Sequence, residues 1–292
     1  MRDMSNIKKE KMMNRIFMRF PGGKVKALTL SYDDGVEQDV RLIDIMQKHG
    51  LKGTFNLNSG LYAAEGTVYT EGTIHRRMTK AQCLDLYMDS GMEVAVHGYS
   101  HPFLEQLPAN ICTQEVLKDR ETLEGDYDCI VRGMAYPFGA YSDEVVATLQ
   151  QCGIVYSRTT VSTEKFAIPT DWLRLPATCH HKNPRLMELA RNFAENSSNR
   201  GPLLFYVWGH SYEFDADNNW NVIEEFAEYI GGKDDIWYAT NIEVYDYIAA
   251  YKQLQFSTDG MRVYNPTAMT LYFECDSGVY SVASGQSIQC KK

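Results

Sequence analysis

The chain has 292 residues, 44% of them hydrophobic and 23% charged, with a formal net charge of −9 at pH 7. This is the composition of an ordinary globular protein with a substantial core, and nothing in it suggests a basic surface for nucleic acid. The seven cysteines are odd in number and contain no C-x-x-C, which argues against a disulfide framework or a structural zinc site and for buried free thiols. Met1 to Phe20 lacks the continuous apolar core of a signal peptide, and no stretch approaches a membrane span. The expectation is a cytoplasmic protein with neither membrane nor nucleic acid among its partners.

From Val25 onward strand-like and helix-like segments alternate. Val25 to Ser31 reads as a strand closed by Tyr32-Asp33-Asp34-Gly35, and Asp39 to His49 as a helix stopped at Gly50. Gly53 to Leu57 is a second strand, and Asn58 to Met78, with three glycines, a long loop. Thr79 and Gln82 form a capping box for a helix ending at Gly91. A third strand, Met92 to Val96, delivers His97, and a helix follows from about Asn110 to Glu124. Ile130 to Tyr136 is strand four, Ser142 caps the next helix, and Ile154 to Ser157 is strand five. Asn183-Pro184 predicts a helix start, with its end at Glu195. Leu203 to Trp208 is strand six and ends at Gly209-His210. Trp220 to Ile230 is a helix, Ile236 to Ala239 strand seven, and Asn241 caps a last helix to about Gln253. Beyond it, Met261–Tyr264, Ala268–Glu274 and Gly278–Ala283 read as short antiparallel strands between turn residues.

This alternation predicts an α/β fold of parallel strands with helices outside, an incomplete relative of the eight-fold β/α barrel, with an open doubly wound sheet as the other possibility. The barrel is preferred because Asp33-Asp34, His97, Phe138 and His210 all follow strand ends, which in a barrel converge on one face. The expected division is a lead-in at residues 1–24, partly disordered, a catalytic domain at 25–253 and a small β extension at 254–292.

Two imidazoles four positions apart, His97 and His101, can grip one ion together with Asp34. Two imidazoles and a carboxylate leave open positions for water and substrate, which is the composition of a catalytic rather than a structural site. Asp33, beside that ligand, can stay ionised and accept a proton from water on the ion, while His210 can donate one to a leaving group. The ion expected is a divalent metal, zinc first, with cobalt, nickel, manganese or iron also compatible with the ligand set.

Ser31-Tyr32-Asp33-Asp34-Gly35, His97-Gly98-Tyr99-Ser100-His101, Met134-Ala135-Tyr136-Pro137-Phe138-Gly139 and Leu204–His210 together resemble the motifs of the polysaccharide deacetylase family, the NodB-homology or carbohydrate esterase family 4 type. The resemblance runs from about Val25 to Tyr251. It implies a distorted (β/α)7 barrel and metal-dependent hydrolysis of acetyl groups on sugars, with an acetylated saccharide as substrate. Asp33 would then be the base, Asp34, His97 and His101 the metal ligands, and His210 the acid, with the Phe138 N–H holding the oxyanion. The sequence departs from the family in three places. Gly98 stands where Ser or Thr is usual. Ala135 takes the position of the third-motif arginine, for which Arg132 is the neighbouring candidate. The supporting Asp-Trp pair is suggested only by Asp171-Trp172, with Arg174 or His180-His181 as replacements. Tyr136, Trp172 and Trp208 are further substrate candidates. The function expected is removal of N- or O-linked acetyl groups from a carbohydrate, an N-acetylated oligosaccharide first. The rivals are a carbohydrate-binding protein that keeps the metal without the chemistry, a deacylase of a small non-sugar amide, and an Fe(II) oxygen enzyme using the same ligands.

Overall fold

A computed structural model of the chain describes residues 15–197, 201–275 and 278–291. The lead-in expected to be partly disordered falls largely on residues 1–14, outside those described. In chain order the elements begin with β1 (Ile16–Arg19), β2 (Lys26–Asp33), α1 (Asp39–Lys48), β3 (Gly53–Leu57), α2 (Lys80–Tyr87), β4 (Glu93–Val96), α3 (Ala109–Tyr127) and β5 (Gly133–Ala135). They continue with α4 (Asp143–Gln151), β6 (Tyr156–Ser162), β7 (Leu175–Ala177), β8 (Cys179–His180), α5 (Leu186–Ala194) and β9 (Leu203–Gly209). The last are α6 (Tyr212–Ala216), α7 (Asn221–Ile230), β10 (Ile236–Tyr238), α8 (Asn241–Tyr251), β11 (Gln255–Phe256), β12 (Arg262–Tyr264), β13 (Leu271–Cys275), β14 (Gly278–Val282) and β15 (Ser287–Gln289). Two compact units result. The larger is Ala27–Ser197 with Leu203–Tyr245, and the described remainder makes the smaller.

The larger unit is an α/β fold, a distorted (β/α)7 barrel. Its sheet runs β7-β6-β5-β4-β3-β2-β9-β8, with β10 paired to β2. The pairs from β2 through β7 are parallel, as is β8 with β9. All eight residues of β2 are buried. Strands covered on both faces lose the in–out alternation of a half-exposed sheet, which is why these segments read as continuous apolar runs. The two ends of the sheet, β7 and β8, are separated in sequence only by Thr178, whose N–H bonds to the Tyr206 carbonyl at 2.8 Å. The ladder itself does not close. The core joins β2, β3, β4 and β9 to the inner faces of α1, α5 and α7 through Leu30, Phe55, Val96, Phe205, Leu42, Phe193 and Phe226. Each such side chain contributes roughly 1.5–3 kcal/mol by its burial.

Parallel strands point their C-terminal ends the same way, so the segments after Asp33, Val96, Ala135 and Gly209 emerge on one face. Several boundaries differ from expectation. The fifth predicted strand lies at Tyr156–Ser162, displaced and longer, while the short β7 and β8 carry no strand signal of their own. The helix predicted from Asn183-Pro184 begins at Leu186 because the Asn183 Oδ1 accepts the Arg185 N–H at 2.8 Å, making a local turn instead of a helix cap. The capping box at Thr79 and Gln82 is present.

In the smaller unit β1 pairs antiparallel with β13, which pairs with β14, and β11-β12-β15 form a second antiparallel sheet. Buried Arg19 meets Glu274 at 2.6 Å within it. All seven cysteines are free thiols, six of them buried and Cys129 exposed. Among the described residues no helix is long and apolar enough to cross a membrane.

Candidate active site

At the end of β2 the backbone turns sharply. Asp34 has φ +84°, and its N–H bonds to the Asn56 carbonyl at 3.0 Å. The two side chains of the acidic pair therefore diverge into different surroundings. Asp33 is buried at 2% exposure, and Asn56 Nδ2 donates to its Oδ1 at 2.9 Å. Its other oxygen accepts from Arg158, which projects from β6 and is 1% exposed. The Arg158 guanidinium also lies 4.2 Å from the centre of the Trp208 ring. Burial alone would raise the Asp33 pKa, but Arg158, His97 and His210 outweigh it and hold the carboxyl below its usual range. Asp33 is thus ionised at neutral pH.

His97 follows β4. Its Nδ1 lies 2.8 Å from the Ala135 carbonyl oxygen, which can only accept. The proton therefore sits on Nδ1, and the Nε2 lone pair is left free. His101 lies on the same loop with φ +55°, its ring edge-on to that of His97 at 4.8 Å. Burial lowers both imidazole pKa values, that of His101 to about 4 with His97 as a second cause, so both rings are neutral at pH 7. Ligand atoms of Asp34, His97 and His101 all lie within 4.8 Å of one another. Two neutral imidazoles, one with its free nitrogen fixed by a backbone carbonyl, and one carboxylate form a donor set that fits a divalent ion. The second oxygen of Asp34 lies 3.2 Å from His75 Nε2, and Arg77 Nη2 reaches Oδ1 at 3.0 Å.

His210, at the end of β9, stands on the other side of Asp33, its Nε2 3.7 Å from Asp33 Oδ2. Its Nδ1 faces Glu213 of α6 at 3.5 Å, and its backbone N–H bonds to the same carboxylate at 3.3 Å. Glu213 also meets His180, His181 and Lys182, each at 3.2 Å. His180 Nδ1 accepts the Lys182 N–H at 3.1 Å, so its proton is on Nε2, directed at Glu213. The His181 ring packs so closely on Gly209 that a Cβ there would stand 2.0 Å from Nδ1. Burial works to lower the His210 pKa, but the Glu213 bond and the charges of Asp33 and Asp34 prevail and raise it. The pKa values of Asp33 and His210 are thereby driven apart.

These groups line a cavity of about 330 Å³ that also includes Tyr136, Phe138, Trp208 and Tyr212. Larger depressions of about 540, 430 and 410 Å³ lie elsewhere on the unit, but none of these gathers a histidine or a buried carboxylate. Phe138 has φ +59° and a ring 54% exposed, stacked on Phe103 at 3.9 Å and edge-on to His101 at 4.5 Å. The Tyr136 hydroxyl donates to the Leu173 carbonyl at 2.7 Å.

The structure thus brings together Asp33, Asp34, His97, His101, Phe138, Tyr136, Trp208 and His210, with His180 and His181 behind His210. It does not bring Arg132, Asp171, Trp172 or Arg174 to the cavity. Arg132 precedes β5, at the opposite end of that strand from Phe138. Asp171 caps the turn at Trp172–Arg174 and pairs with Arg174 at 2.9 Å, while the Trp172 ring meets Tyr245 edge-on at 5.3 Å. In place of the expected Arg132 and Asp171-Trp172, Arg158 and Glu213 stand beside Asp33 and His210. Arg158 sits within a strand of small polar residues, where no local pattern singles it out. Glu213 is spaced three residues from His210, a separation that puts the two on one side of a helical turn and could have been read.

No curated protein matches the sequence closely enough to be called a relative. Among solved structures, a candidate polysaccharide deacetylase from Mycobacterium smegmatis is similar at TM-score 0.55 and 17% identity, covering 83% of this chain and 96% of that one. The chitin deacetylase of Colletotrichum lindemuthianum is similar at TM-score 0.50 and 16% identity, covering 80% and 88%. A deacetylase from Streptococcus pyogenes, described in complex with acetate, has TM-score 0.40 and 22% identity, and the match spans 45% of this chain and 55% of that one. Residues 21–157 match the family model described as polysaccharide deacetylase, and this span carries Asp33, Asp34, His97, His101 and Phe138. Over that span the chain is similar to the polysaccharide deacetylase family.

Proposed function

We propose that the protein is a metal-dependent deacetylase that hydrolyses acetyl groups from a carbohydrate, an N-acetylated oligosaccharide first among them. The observation that carries this reading is the placement of Asp33, with His97 at 3.8 Å and His210 at 3.7 Å from the same oxygen and the Asp34–His97–His101 donor set alongside. Asp34, His97 and His101 would hold a divalent ion, zinc first among the candidates, and it would supply Lewis acidity toward a water and an acetyl carbonyl. Asp33, kept ionised by Arg158, takes a proton from the attacking water. His210, its pKa raised by Glu213 and the nearby aspartates, delivers one to the departing nitrogen or oxygen. The Phe138 N–H is assigned to the developing oxyanion, a role worth about 2.7–4 kcal/mol. The exposed Phe103–Phe138 stack offers the apolar face of a sugar ring a platform.

The test is acetate release from acetylated mono- and oligosaccharides after chelation, with zinc, cobalt, nickel, manganese or iron(II) added back. Release should depend on the added ion. Asp33→Asn should abolish it while retaining ion binding. Sugar binding without turnover, unaltered in Asp33→Asn, would make this a binding protein. Turnover confined to non-sugar amides would move the substrate class.

A further inference from the structure

We propose that Asn58 and Arg77 act as a brace that fixes the spacing between Asp34 and His97, and that they are positioning residues for the ion site. The inference rests on reading Asp34, His97 and His101 as the ion-holding set. Those side chains hang on two separate loops, one after β2 and one after β4. The loop after β4 has no side chain at Gly98, where φ is +78° and a Cβ would stand 3.2 Å from Pro102 Cδ and 3.3 Å from Pro137 Cγ. Its support comes from across the cavity rim. Asn58, 1% exposed, spends both hydrogens of Nδ2 on this loop, donating to the His97 carbonyl at 2.6 Å and the Gly98 carbonyl at 2.7 Å. Its Oδ1 accepts from Arg77 Nη1 at 3.0 Å. The same Nη1 donates to the Asp34 carbonyl at 2.7 Å, and Nη2 donates to Asp34 Oδ1 at 3.0 Å.

An unbroken chain of hydrogen bonds therefore runs from Asp34 through Arg77 and Asn58 to His97 and Gly98. Every donor hydrogen of the Asn58 amide is used, and the Arg77 fork serves a carbonyl, a carboxylate and an amide at once. A planar guanidinium can do this; the ammonium of lysine cannot hold the same directions. The brace sets one ligand against another before any ion arrives, which is how partners outside the ligand shell govern affinity. Charge alone makes the opposite prediction. Arg77 touches the very oxygen that faces His101, so as a mere cation it would compete with the ion, and its removal would tighten binding.

Cobalt(II) titration of the full chain, followed by equilibrium dialysis and by the visible absorption of the bound ion, separates the two. Asn58→Ala and Arg77→Met should each weaken cobalt binding by about tenfold or more. The double variant should be no weaker than the worse single one, because both break the same chain of bonds. Arg77→Lys, which keeps the charge and guards against misfolding of the methionine variant, should weaken binding as well. The proposal is overturned if Arg77→Met binds cobalt as tightly as the wild type or more so, or if the two single effects multiply. Wild-type protein that takes up no cobalt overturns the ion site and the brace together. Normal wild-type uptake with unaltered variants overturns the brace alone.

Discussion

Arg158 bonds directly to Asp33, and both side chains are sealed from solvent, at 1% and 2% exposure. Neither group could be left in that interior without the other. Arg158→Met would strand a buried carboxylate, which costs about 3–5 kcal/mol of stability. It would also release the Asp33 pKa to rise under burial. The expected outcome is a loss of kcat/KM of at least about a hundredfold at pH 7, the range a positioned base provides. The acid limb of the pH profile should move upward, and Arg158→Lys should recover part of both. A profile whose acid limb stays in place would show that Arg158 does not hold the base ionised.

Glu213 carries the opposite assignment. The His210 pKa is raised because Glu213 and Asp33 outweigh the burial that works to lower it. In its proposed role as acid, protonated His210 is lost as pH rises through that raised value, so the alkaline limb would report on it. Glu213→Gln removes the bonded anion, lowers the His210 pKa and should bring the alkaline limb to lower pH. Turnover at pH 8 should fall about tenfold, and less at pH 6. Measurement of kcat against pH in wild type and variant checks this.

A third expectation concerns folding. Asp39, fully buried, accepts from Tyr87 Oη and Ser211 Oγ at 2.6 Å each, and burial pushes its pKa up to about 7. The folded chain therefore holds this proton more tightly than the unfolded one. The stability it contributes is present in full below the unfolded value near 4 and is lost as pH rises towards 7. Asp39→Asn removes the titration. Its melting temperature relative to wild type should become more favourable between pH 5 and pH 8. A difference that stays constant across that range would refute the assignment.

The strand ends were legible because polar residues that close apolar runs are conspicuous. Asp33-Asp34, His97 and His210 each interrupt a buried strand at its C-terminal edge, and the parallel topology does the rest. Arg158 was not legible. It is a buried cation inside a strand whose other residues are mostly Ser and Thr, and only its partner 125 residues away gives it meaning. The pairing of Ile16–Arg19 with Tyr272–Cys275 is equally non-local, since a short strand carries no sign of a partner that lies across most of the chain. Asn183-Pro184 misled for a different reason. The asparagine side chain has two local uses, cap and turn, and the turn won.

Three groups at the cavity, Asp34, His101 and Phe138, hold their backbones in a conformation that only glycine adopts without penalty. A selection for heat resistance alone would favour glycine at all three places and return a sturdier protein without two of the three side chains proposed to hold an ion and without the Phe138 ring. Thermal hardiness and turnover are thus set against each other at the same positions, and laboratory evolution of this chain would need to impose both pressures together.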